Sequence, residues 1–127
     1  MAGRTFQPLL GALDPGVVTL GISWAPNGSS AVDQTSIKGR GVTSVTRNSA
    51  GVFTVLLQDV YPTLLAAVAT AQLATAADIV AQVGTSTLTA NGKSIVVTLL
   101  AAATATDVAA NADNRVNLLL ILKNSSV

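Results

Sequence analysis

The chain has 127 residues, is half apolar and only 10% charged with a net charge of +1, and contains no histidine, cysteine or glutamate. This composition removes the usual proton shuttle near neutral pH, thiolate metal sites and disulfides, and it offers nucleic acid no dense basic patch. One domain is the expectation at this length, with a core large enough to stand without staples.

The opening segment, residues 1–16, reads as an extended N-terminal arm, because Pro8 and Pro15 with Gly3, Gly11 and Gly16 interrupt any helix. Phe6, Leu9, Leu10 and Leu13 give it more apolar bulk than a disordered tail carries. It is therefore expected to lie on something, either its own body or a neighbour. It lacks the long apolar stretch of a secretory signal. Residues 17–127 then read as a single β domain. Val17–Ser23 is a β-branched strand closed by Trp24, Pro26 and the Asn27-Gly28 turn. Ser30–Lys38 is polar and at best a weak strand, broken by Gly39-Arg40-Gly41. Val42–Arg47 and Gly51–Leu57 are predicted to form a hairpin across Asn48-Ser49-Ala50. In its second strand Phe53, Val55 and Leu57 share one face and Val52, Thr54 and Leu56 the other, as expected of a strand covered on both sides.

Asp59-Val60-Tyr61-Pro62 makes a corner. From Leu64 to Val83 the alanines favour helix, but Thr63, Thr70 and Thr75 recur and no apolar stripe persists. Two strands are assigned, near Leu64–Gln72 and Ile79–Val83. Gln72, Asp78 and Gln82 also interrupt this stretch as a membrane span. Asn91-Gly92 is a strong hairpin signal that would join Ser86–Ala90 to Lys93–Leu100. After a loop from Ala101 to Asn114, Arg115–Lys123 alternates: Val116, Leu118, Leu120 and Leu122 line one face, and Asn117, Leu119, Ile121 and Lys123 the other. Seven or eight short strands without a long helix or a fixed repeat predict an all-β fold, an antiparallel β-sandwich or barrel.

Little in this sequence invites catalysis. The aspartates, Asp14, Asp33, Asp59, Asp78, Asp107 and Asp113, are scattered, and several lie at breaks where aspartate serves turns and caps. There is no Gly-x-Ser-x-Gly elbow, and a Ser-His-Asp triad is impossible without histidine. Gly39-Arg40-Gly41 lacks the context of a phosphate loop, Asp107 with Asp113 falls short of a calcium loop, and Trp24 and Tyr61 read as packing residues. The expectation is a protein that is not an enzyme and uses no cofactor or metal. So few charges point instead to surface hidden against copies of itself or a partner, with neither nucleic acid nor membrane as that partner.

Three stretches, IKGRGVTSVTRNSAGVFTVLLQDVYPTLL (Ile37–Leu65), KSIVVTLL (Lys93–Leu100) and RVNLLLILKNSSV (Arg115–Val127), together resemble the small proteins with which tailed bacteriophages decorate or cement the outside of their capsids. The resemblance implies a jelly-roll-like sandwich that forms homodimers or homotrimers on the outer capsid surface of the virion, assembled in the host cytoplasm, where it bridges subunits of the major capsid protein. It brings no catalytic residue. The arm, through Phe6, Leu9 and Leu10, is expected to supply the inter-subunit grip, with Arg4, Lys38 and Arg40 as the polar part of the contact. The alternative is a receptor- or carbohydrate-binding β-sandwich module of a phage tail or fibre. Such sites are rich in exposed Trp and Tyr, in which this chain is poor.

Overall fold

Alternation along the last strand organises the core. In the computed structural model, which describes residues 16–86 and 93–123, every second side chain of β8 (Arg115–Lys123) is buried: Val116, Leu118, Leu120 and Leu122. The strands that precede it are β1 (Val17–Trp24), β2 (Val42–Ser49), β3 (Val52–Leu57), β4 (Thr63–Gln72), β5 (Val80–Ser86), β6 (Ser94–Ala101) and β7 (Thr104–Ala105). The protein is all-β and has two antiparallel sheets. In the first, β8 lies between β1 and β4; in the second the order is β2-β3-β6-β5, with β7 added to β6.

Register places like with like. In the first sheet Leu20 pairs with Leu120 and Leu120 with Ala67, and one row further on Ile22 pairs with Leu118 and Leu118 with Ala69. In the second sheet Val45, Val55 and Ile95 form one row. These two inner faces contribute to one apolar cluster, in which the rings of Trp24 and Phe53 meet tilted at 5.8 Å between centroids. Full burial of such side chains stabilises by about 1.5–3 kcal/mol each, which is how a chain with few charges and no disulfide holds together. Beyond Leu64, the inner positions of β4 are alanines, Ala67, Ala69 and Ala71, whose small size lets the edge strands β4 and β5 approach.

The 64–83 region holds two strands, as expected, β4 and β5 with an irregular connection over residues 73–79, and its alanines do not make it helical because each strand is paired into a sheet. Four details differ from expectation. The hairpin turn is Ala50-Gly51, since Ser49 pairs with Val52 and Asn48 is the extra residue of a bulge. Ser30–Lys38 is no strand: Asp33 accepts the amide and hydroxyl of Thr35 and caps a 3-10 turn at Gln34–Ser36, and only Lys38 pairs, with Ser23. β5 extends past Val83 to Ser86, and the rest of the expected Ser86–Ala90 strand, residues 87–90, lies outside the described residues. The 101–114 loop contains β7, too short to show in the pattern. The Asn91-Gly92 turn and the arm, with Arg4, Phe6, Leu9 and Leu10, lie outside the described residues.

Candidate functional site

The outward positions of the first sheet are unusual in what they lack. β1 contributes Thr19, Gly21 and Ser23, β8 contributes Asn117, Leu119 and Ile121, and β4 contributes Ala66, Val68 and Thr70; across the rows Gly21 pairs with Leu119, and Leu119 with Val68. Val68 is 55% exposed, and Leu119 and Leu65 are each 45% exposed. Leu65 is the bulged residue where β4 slips register between Leu64 and Ala66, which turns a side chain outward that strict alternation would have buried.

Beside this row lies an open depression of about 390 Å³ lined by Gly21, Ser23, Lys38, Gly39, Val68 and Leu119, among others. Its floor exists because Gly21 has no side chain on the outer face, where a Cβ would meet open space. Its wall is the Lys38-Gly39 segment, tied to the edge of β1 by the Ser23–Lys38 backbone pair at 3.0 and 2.7 Å. A Cβ at Gly39 would fall 2.1 Å from the Gly21 carbonyl oxygen, at a φ of +110°, so only glycine lets the wall stand this close. Arg115 braces the rim: its Nε donates to Ser23 Oγ at 2.7 Å and its Nη2 to the Ser36 carbonyl at 2.6 Å.

Of the interface residues expected from the sequence, Lys38 lies at this depression, while Arg40 is exposed nearby but does not line it. Leu65, Val68 and Leu119 were not foreseen. The available signal was Leu119 and Ile121 on the strand face that also carries Asn117 and Lys123. Leu56, on the face of β3 expected to be covered, is 38% exposed, while Val52 and Thr54 beside it are half-buried.

Other polar groups are committed to structure. Arg47 and Asp107 form a fork pair, and its hydrogen bonds from Arg47, with help from the Gly51 amide, hold the Asp107 carboxyl below its ordinary range. The Asp33 carboxyl is lowered by its bonds from Thr35, and burial, with the nearby Asp59 charge, pushes the Tyr61 phenol up. No group of three metal-ligating side chains occurs among the described residues. A second open depression, about 410 Å³, is lined by Asn27, Asp33, Ser36 and Asn111 together with Ala25, Pro26 and two further alanines. It has no aromatic platform: Trp24, Phe53 and Tyr61 are all buried. No family model, no curated protein and no solved structure matches the chain.

Proposed function

We propose that the protein is a structural virion component, a capsid decoration or cement protein that binds the outer capsid surface and bridges major capsid protein subunits. In this reading the two sheets are the layers of a jelly-roll-like β-sandwich, with the pairing of first and last strands its nearest point of likeness, while the β2–β3 hairpin is simpler wiring. The observation that carries the proposal is the exposed apolar row Leu65, Val68 and Leu119 beside a glycine-floored depression. A sheet face of this kind suits adhesion to another protein. Half-exposed, these three side chains stand to gain about 1 kcal/mol each on burial. That is weak for one contact and ample when copies engage a shell together. Lys38 at the rim supplies polar registry.

The partners are the major capsid protein and further copies of this chain, and no chemistry is required of either. A tail- or fibre-borne receptor or carbohydrate binder is the less favoured reading, because every aromatic side chain among the described residues is in the core. The test is co-sedimentation of the intact chain with cognate phage shells that lack it, followed by electron cryomicroscopy. The expected result is saturable density on the outer shell. A chain that stays in the supernatant at all concentrations, or that binds a glycan array instead, contradicts the proposal.

A further inference from the structure

We infer that copies of this chain join through opposite corners of the second sheet, Arg40 of one copy lying over Val80 of the next with its guanidinium on Asp78. The inference deepens the proposed function by naming the surface through which further copies meet, and it rests on that reading for its setting on a shell. The accepting corner is at the head of β5. Val80 is 58% exposed, more than any other large apolar side chain among the described residues. With Leu100, its cross-strand partner, it lines an open depression of about 390 Å³ that also takes in Asp78 and the small Ala102 and Ala103. Asp78 is exposed and makes no hydrogen bond or ion pair among the described residues. An apolar floor beside one unpaired carboxylate fits a side chain with an apolar stem and a cationic head.

Arg40 is such a side chain. Arg47 is held by Asp107, Arg115 by Ser23 and Ser36, and Lys93 donates to the Gln58 carbonyl. Arg40 is exposed and has no partner among the described residues. It cannot reach Asp78 of its own chain. Arg40 stands just before Val42, which pairs with Leu57 at the Lys93 end of β6, while Asp78 stands just before Val80, which pairs with Leu100 at the other end. In the order β2-β3-β6-β5 the two corners are about 14 Å apart across the strands and about 23 Å along them. A second copy must therefore supply the counterpart. Asp59 shares the Arg40 end, and Lys93 beside it offsets that charge. Neither corner includes Leu65, Val68 or Leu119, so joined copies keep the outer face of the first sheet free for the shell.

Two charge reversals that disable opposite corners test the contact. The parent is expected to gain weight-average mass in sedimentation at low salt as its concentration approaches about 1 mM, as a small contact implies. Arg40→Asp alone or Asp78→Arg alone is expected to weaken this at least about tenfold, and the double variant to restore it. In mixtures, the Arg40→Asp chain keeps the depression and the Asp78→Arg chain keeps the arginine. The amide resonances of Val80 and Gln82 in isotope-labelled Arg40→Asp chain should shift on adding unlabelled Asp78→Arg chain, and stay in place on adding more Arg40→Asp chain. A parent that stays monomeric, single variants that associate like the parent, or Val80 and Gln82 amides that do not move in the mixture would overturn the inference. All of these measurements use the isolated chain. Association without shell binding counts against the proposed function alone, and shell binding without association counts against this contact alone.

Discussion

Asp107 grips Arg47 from sixty residues away in the chain, Nε to Oδ1 at 2.9 Å and Nη2 to Oδ2 at 2.7 Å, and the same Oδ1 accepts the Gly51 amide at 2.9 Å. One carboxylate thus fixes the end of the β2–β3 hairpin to the segment between β7 and β8. Asp107→Asn keeps the shape and loses the charge, and is expected to lower Tm by roughly 3–6 °C near neutral pH. The folded Asp107 pKa is below its unfolded value of about 3.9. Its contribution is therefore complete above that unfolded value and is lost as pH falls through the lower folded one. Thermal scans down to about pH 3 should show the gap between variant and parent closing in acid; a gap that is constant with pH contradicts the role given to the charge.

Gly51 turns that hairpin at a φ of +68°, and a Cβ there would lie 2.5 Å from the Thr106 carbonyl oxygen and 2.8 Å from that of Leu99. Neither neighbour is a side-chain end that can swing aside. Gly51→Ala is expected to cost about 3 kcal/mol or more in chemical denaturation.

The β6–β7 turn is the reverse case. Ala101 pairs with Thr104, so the two turn residues are Ala102 and Ala103, both left-handed, with φ of 49° and 65°. This is the geometry of a type I′ hairpin, which Asn-Gly fills with less strain. Ala102→Asn with Ala103→Gly is expected to stabilise by about 1–2 kcal/mol, read as a rise in denaturation midpoint at unchanged slope.

Gln34 closes an edge. Its carboxamide donates to the Val45 carbonyl at 2.8 Å and accepts the Val45 amide at 3.1 Å, standing in for a neighbouring strand on β2, and it also donates to the Val32 carbonyl at 2.9 Å. Edge strands left open invite pairing with other chains. Gln34→Glu can still accept but not donate, and is expected to lose about 1 kcal/mol and to raise light scattering on concentration. Scattering equal to the parent's would show that the amide does not guard this edge.

Much of the fold is legible in the sequence because its strands alternate. Val116 to Leu122 announces which face of β8 is buried, and the β2–β3 hairpin stands between clear turn residues. What is illegible depends on long-range pairing. Nothing local couples Arg47 to Asp107 or Gln34 to Val45. β7 is too short to leave a pattern, and Ser30–Lys38 is organised by the Asp33 cap and one backbone pair in place of a ladder. The candidate surface was half visible. Leu119 and Leu56 read as apolar on both faces of their strands, but the pattern does not separate a face covered by the same chain from one awaiting a partner. Leu65 faces outward only because β4 bulges, which alternation alone assigns to the wrong side.

The central claim is that the outer face of the first sheet adheres to the shell. Leu119→Lys places a charge in the middle of the exposed row without touching the core, so the fold should survive with Tm within a few degrees of the parent's. The most direct measurement is occupancy of this variant on cognate shells by electron cryomicroscopy, beside the parent at equal concentration. The account predicts occupancy reduced at least tenfold in a chain that remains folded, and undiminished occupancy would contradict it.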